Sequence, residues 1–191
     1  MKPVWRYLIS IAAGLAAGSG AAMWSVRSGA FGSEASIGPW TTGTDLGTAG
    51  ASAFTRASVA LHGLLALPAR EARYYSAAVD DLGRPLDGRC RYRVSGTDPG
   101  GRWFSLTLYD ASGYLVANPA GIHSVGSAGL RPAERSAWTA IVARDPQQER
   151  WLPSGGIESF NLTFRVYLPE GEGRTNLPRE RLPRIERMGC P

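Results

Sequence analysis

The chain is poor in the residues that usually announce chemistry. Its two histidines, His62 and His123, have no carboxylate cluster beside them in the sequence, so neither a zinc site nor any other metal centre is expected, and no cofactor motif is present. The nucleophile-elbow pattern fails at Ser124, because Ile122 stands where the first glycine of G-x-S-x-G is required. Lysine occurs once, at Lys2; the other twenty basic residues are arginines, a bias that points to a GC-rich genome rather than to a functional demand. The net charge of +5 is modest, and no basic stripe interleaved with aromatics is present, which argues against nucleic acid as a partner. Two cysteines are too few for a disulfide-dense scaffold.

The longest uncharged stretch is Tyr7 to Val26, preceded by Lys2 and Arg6 and followed by Arg27. As a helix it spans roughly 30 Å, the thickness of a bilayer's hydrocarbon core. Trp5, Tyr7 and Trp24 bracket it as interfacial aromatics do, and the leading positive charges place the short N-terminal segment in the cytoplasm. A cleaved signal peptide is the alternative, with small residues at Ser28 and Ala30 or at Gly20 and Ala22. Gly14 and Gly18 have GxxxG spacing, so a homodimer through that face is one expectation. The division expected is a transmembrane anchor over 1–27, a linker or ordered N-terminal arm over 28–48, and one β-sandwich domain over 49–191.

Cys90 begins the alternating run Cys90-Arg91-Tyr92-Arg93-Val94 and shares its inward face with Tyr92 and Val94, so in an oxidising compartment it is expected to pair with Cys190 and pin the chain's end. Ala51 to Leu67 reads as a helix, with Phe54, Ala57, Leu61, Leu64 and Leu65 at three- and four-residue steps and Pro68 as the stop. The period then changes to two. Phe104, Leu106 and Leu108 alternate with Trp103, Ser105, Thr107 and Tyr109; Phe160, Leu162, Phe164, Val166 and Leu168 alternate with Asn161, Thr163, Arg165 and Tyr167. Trp138 to Ala143 and Tyr114 to Ala117 are shorter strand candidates. Turn signals separate these runs, so the fold class is mainly β: an antiparallel, jelly-roll-like β-sandwich with the N-terminal helix packed on it and one transmembrane helix ahead of it. The arginines near the end, Arg174, Arg179, Arg181, Arg184 and Arg187, read as a solvated tail or a contact for anionic head groups.

Candidate acids are Glu71, Asp80, Asp81 and Asp110. A glycosidase needs two carboxyls across a cleft, but Asp80, Asp81 and Asp110 fall at strand ends beside glycine, where aspartates cap turns, and Glu71 sits between Arg70 and Arg73. No residue is therefore assigned as catalytic. Candidate ligand-binding residues are Trp103, Tyr109 and Tyr114, as a sugar-stacking platform if they face solvent together, and His123 in the loop Asn118 to Ser124. Packing beneath the helix is the competing use of the aromatics.

The run Arg56-Ala57, Gly63-Leu64-Leu65-Ala66-Leu67, Glu71-Ala72, Tyr74, Asp80 and Gly83-Arg84-Pro85-Leu86 resembles the opening of the bacterial "domain of unknown function 1214" family. So do Arg102 to Asp110, Leu115 to Pro119, Trp151-Leu152-Pro153 and Leu162 to Pro169, and the likeness covers roughly residues 40–190. The chain departs from similar members at Phe104, where they often carry Trp, and at Arg150, where they carry Asn. The resemblance implies a jelly-roll-like sandwich in an envelope protein, often joined in larger relatives to a "domain of unknown function 1254", and no established reaction. The expectation that follows is a single-pass protein of the bacterial inner membrane with its domain in the periplasm. It would bind or scaffold envelope glycan, anionic lipid or another envelope protein without chemistry; the alternative is a glycan or lipid hydrolase using the acids above.

Overall fold

The computed structural model describes residues 3–28, 34–43, 47–61, 67–171 and 176–190. Its first element, α1 (Pro3–Ser28), contains an apolar stretch from Val4 to Val26 that is long enough to cross a bilayer and has no residue buried in the rest of the chain. An anchor and a signal sequence both have this form. Pro3 suits the first turn, where its missing N–H costs nothing. Helix α2 (Ala53–Leu61) starts at Ser52, whose hydroxyl accepts the Thr55 N–H at 3.0 Å. Residues 62–66, with His62 and part of the expected helix, lie outside the described residues. The expected packing of α2 on the sandwich is not its main contact among the described residues; α2 meets chiefly α1.

Besides three single-turn 3-10 helices, the remaining elements among the described residues are ten strands: β1 (Glu34–Ile37), β2 (Trp40–Gly43), β3 (Ala72–Ala77), β4 (Arg91–Gly96), β5 (Gly101–Asp110), β6 (Ser124–Gly126), β7 (Trp138–Ala143), β8 (Trp151–Pro153), β9 (Phe160–Pro169) and β10 (Arg184–Gly189). They form a six-stranded sheet in the order β1-β2-β3-β9-β5-β6 and a four-stranded sheet in the order β10-β4-β7-β8. Every pairing is antiparallel except that of β7 with β8, which is parallel. The result is a mainly β sandwich, as the alternation predicts. Tyr114 to Ala117 is not a strand; only Leu115 forms an isolated bridge, to Tyr109.

The two sheets close on one core. Tyr75, Phe104, Leu106, Leu162, Phe164 and Val166 from the larger sheet meet Tyr92, Val94, Trp138, Ala140 and Val142 from the smaller. Phe164 lies 5.6 Å from Phe104 and 6.1 Å from both Trp40 and Trp138, ring centre to ring centre. Part of the segment read as a linker or ordered arm is the β1–β2 hairpin, turned at Gly38 (φ +63°). Its Trp40 is fully buried and donates its indole N–H to the Pro183 carbonyl at 2.8 Å. A single large aromatic with a satisfied N–H docks this otherwise polar segment, which hydrophobic periodicity does not register.

The C-terminal segment is no solvated tail. Leu182 and Ile185 are buried, β10 pairs with β4, and Cys90 and Cys190 are bonded with their Cα atoms 4.1 Å apart. Arg179 ion-pairs with Asp81, Arg187 lies 3.5 Å from Asp80 and donates to the Pro85 carbonyl, and Arg181 reaches the Pro99 carbonyl at 3.4 Å. Arg174 lies outside the described residues. The arginines that looked like a surface for anions are thus largely spent on fastening β10.

The outward face of β9 is also drier than the alternation suggests, since Thr163 is only 5% exposed. Phe164→Ala is expected to cost about 3 to 5 kcal/mol through lost burial and the cavity left behind. Thr163→Ala, losing only a methyl and a hydroxyl beneath neighbouring side chains, is expected to cost about 1 kcal/mol. Denaturant melts of the two variants measure the contrast, and equal losses would contradict the two-faced strand.

Candidate functional site

Of the acid candidates, Asp80 and Asp81 are neighbours beside β10, Glu71 and Asp110 lie elsewhere, and the four have separate structural partners. Asp80 and Asp110 build the same turn. Asp80 Oδ1 accepts the N–H groups of Leu82 and Arg84, both at 3.0 Å, and Gly83 at φ +75° donates back to the Asp80 carbonyl. Asp110 Oδ1 accepts Ser112 and Tyr114 at 2.8 and 2.9 Å, with Gly113 at φ +86° in the matching position. Only a residue tolerant of positive φ closes such a turn without strain. Asp80 is 1% exposed, and its second oxygen accepts Arg84 Nε at 2.8 Å. Burial pushes its carboxyl up, but the Arg84 and Leu82 hydrogen bonds and the Arg84 charge together hold it below the ordinary value. Asp81 accepts the Ile185 N–H at 2.7 Å besides its pair with Arg179, and Glu71 pairs with Arg70 at 3.3 Å on the surface. Of the two concavities described below, one is lined by none of the four and the other by Asp81 alone among them.

The aromatic candidates fare differently. The outer face of the six-stranded sheet carries a shallow basin of about 420 Å³ lined by Leu67, Tyr74, Trp103, Ser105, Thr107, Tyr109, Ser124, Arg165 and Tyr167. It arises from register. Tyr74 of β3 faces Arg165 of β9, which faces Ser105 of β5, which faces Gly126 of β6; one row along, Tyr167 faces Trp103. Small side chains on β5 and β6 thus lie between aromatic walls, and the depression is the difference in their size. Gly126 admits nothing larger, because a Cβ there would stand 2.6 Å from the Phe104 carbonyl oxygen.

Arg165 crosses the basin floor, half-buried. Its Nη1 donates to Thr107 Oγ1 at 3.1 Å and its Nη2 to Tyr109 Oη at 2.8 Å, while its guanidinium carbon sits 5.4 Å from the Tyr109 ring centre and 5.9 Å from that of Tyr74. Among the described residues no carboxylate lines the basin. Trp103 and Tyr167 lie 4.6 Å apart with their planes inclined by 36°. Tyr74 Oη accepts the Leu67 N–H at 3.2 Å; burial pushes its hydroxyl up against the opposing pull of that bond and of Arg165.

Two of the four nominated ligand residues, Trp103 and Tyr109, therefore share one face with hydroxyls, as their parity predicts. Tyr114 does not join them: it is 72% exposed on the turn that Asp110 caps. His123 is outside the lining; its ring contacts the Asn118 amide at 3.4 Å, within a loop that Asn118 also ties through Ile122. The basin residue missed in the sequence is Arg165, with Tyr74 and Tyr167 beside it. The parity of Arg165 and Tyr167 is readable, but their placement against Trp103 and Tyr109 depends on a pairing register between strands some fifty residues apart.

A second concavity, of about 670 Å³, lies near the ends of β4, β7 and β10, lined in part by Asp81, Trp138, Arg179, Glu180 and Arg184. Asp81 there is already held by Arg179 and the Ile185 N–H.

Fold and site together describe a two-sheet β-sandwich with an aromatic, arginine-floored basin on one outer face, its four candidate acids each held in a turn or an ion pair. The chain belongs to the family described as Protein of unknown function (DUF1214), whose sequence model matches residues 71–171, just over half of the 191 residues. It is similar to the crystal structure of the VPA0106 protein from Vibrio parahaemolyticus, with a TM-score of 0.56 at 19% identity over 71% of this chain and 35% of that one. A putative uncharacterized protein from Burkholderia cenocepacia matches with a TM-score of 0.45 at 17% identity over 61% of this chain and 29% of that one. The chain thus spans about a third of the length of these structures, and the first likeness shows the shared fold. No curated protein matches it.

The acids generate a pH expectation. Hydrogen bonds from the Arg89 side chain and backbone hold the Asp87 carboxyl down to about 2, whereas the unfolded chain protonates near 3.9. The stability this supplies is present above about pH 4 and is lost as the pH falls towards 2. Asp87→Asn is expected to flatten that part of the curve, read as the melting temperature between pH 5 and 2; an unchanged acid slope would contradict the assignment.

Proposed function

We propose that the protein is a membrane-anchored periplasmic module that binds or scaffolds an envelope component through the outer face of its six-stranded sheet, without chemistry of its own. The basin carries this reading: it joins aromatic walls, a hydroxyl floor and a cation that no protein carboxylate neutralises among the described residues. The candidate acids support it too, since each is already occupied in a turn or an ion pair. The anchor is supported by α1, whose large apolar side chains from Val4 to Trp24 are exposed and need a nonpolar environment to cover them. Positive residues ahead of the span favour a cytoplasmic N-terminus, and the Cys90–Cys190 bond suits an oxidising compartment.

A reporter fused after Pro191 is expected to be active only on the exported side, with the full-length protein resisting alkaline extraction from membranes. A photo-activated side chain replacing Ser124 on the basin rim is expected to give an envelope adduct that one replacing Ser112 does not. Cytoplasmic reporter activity would overturn the orientation, and a shortened species beginning near Met23 or Phe31 would overturn the anchor. Equal labelling from Ser112 would overturn the face.

A further inference from the structure

We infer that the basin takes an acidic saccharide, with Trp103 and Tyr167 carrying a sugar ring and Arg165 binding the anionic substituent. This rests on the reading that the face binds an envelope component, and it names the chemistry of that component.

The first argument is charge. A guanidinium has five N–H donors, and among the described residues Arg165 uses two of them, both on hydroxyls. Its other neighbours in the basin are ring faces, which attract a cation but do not neutralise it. A planar anion reaching the remaining donors meets a fork pre-set for it, because Thr107 and Tyr109 hold the guanidinium in place before the ligand arrives.

The second argument separates a sugar from a lipid chain. Apart from Leu67, the non-aromatic lining is Ser105, Thr107, Ser124 and Arg165. Thr107 already accepts Arg165, but the hydroxyls of Ser105 and Ser124 can both donate and accept and so match a ligand dense in hydroxyls, whereas an acyl chain would leave them unpaired. The apolar surface is supplied by flat rings, and Trp103, packed 4.6 Å from the Tyr167 ring, remains 37% exposed. The third argument is length. Trp103 and Tyr109 are six residues apart on one strand, about 20 Å at the usual rise, which exceeds a single sugar ring and suits an oligosaccharide lying along β5.

The test uses the full chain in a polyoxyethylene detergent, which carries neither sugar nor charge, and isothermal titration with three probes: a galacturonic acid trisaccharide, its neutral methyl ester, and inorganic phosphate. The acid is expected to bind about tenfold or more tighter than the ester, and phosphate not to displace it. Arg165→Gln is expected to bring the acid down to the level of the ester, and Trp103→Ala to weaken both sugars together. The comparison of acid with ester on the unaltered chain stands even if a variant fails to fold. Equal binding of acid and ester, or a preference that survives Arg165→Gln, would overturn the inference. So would phosphate competing as strongly as the acid, which would make the site one for the anion alone. If no probe binds while Ser124 still forms its envelope adduct, the acidic saccharide falls and the binding face stands.

Discussion

Phe164 and Arg165 are neighbours in β9, and the pairing of that strand decides which of them meets water. Held between β3 and β5, β9 turns Phe164 towards Tyr75 and Leu106 in the core and Arg165 towards Tyr74 and Ser105 outside. A slip of one residue would exchange the two faces. It would put a guanidinium among Phe104, Trp138 and Trp40, where an unpaired charge costs far more than any local contact returns. The core and the basin are therefore one constraint seen from two sides: each inward aromatic that locks the register also fixes where an outward polar group lands.

The smaller sheet depends on a different device. Its edge strand β10 has little apolar side chain to bury beyond Ile185, and it is held instead by charge and covalent chemistry. Asp81 accepts the Ile185 N–H and pairs with Arg179, Arg187 leans over the Tyr92 ring at 5.4 Å, and the disulfide closes the end. Pro183, just ahead of β10, receives the Trp40 indole from the opposite end of the domain. Acids that resemble catalytic candidates in the sequence are here consumed in joining remote segments.

How far the sequence could be read follows from the range of each interaction. The strands β5, β7 and β9 are legible because their alternation is local, and so is the inward parity of Cys90. The turns at Asp80 and Asp110 are legible for the same reason, since an Asp followed three residues later by Gly satisfies its own backbone. What is not legible is non-local or carried by a single residue. Trp40 docks a segment whose composition is that of a linker, and β10 hides in an arginine-rich run because its partners are ions rather than apolar neighbours. In the basin, Trp103 and Tyr109 declare themselves by type, whereas Arg165 looks like any outward arginine until β9 is set against β5. Tyr114 shows the converse, an aromatic of the right type that the Asp110 turn carries away from the face.

The bond between Cys90 and Cys190 joins residues 100 positions apart, and the chain between them contains all four strands of the smaller sheet and three of the six of the larger. A compartment rich in proteases severs exposed loops, and the stretch from Arg144 to Glu149 is largely such a loop. A single cut there leaves the two pieces covalently tied through the bridge and paired across the β4–β10 and β5–β9 ladders. The domain is in this respect a ring with a long N-terminal tether, so hydrolysis of one peptide bond inside the ring opens it without shedding a fragment.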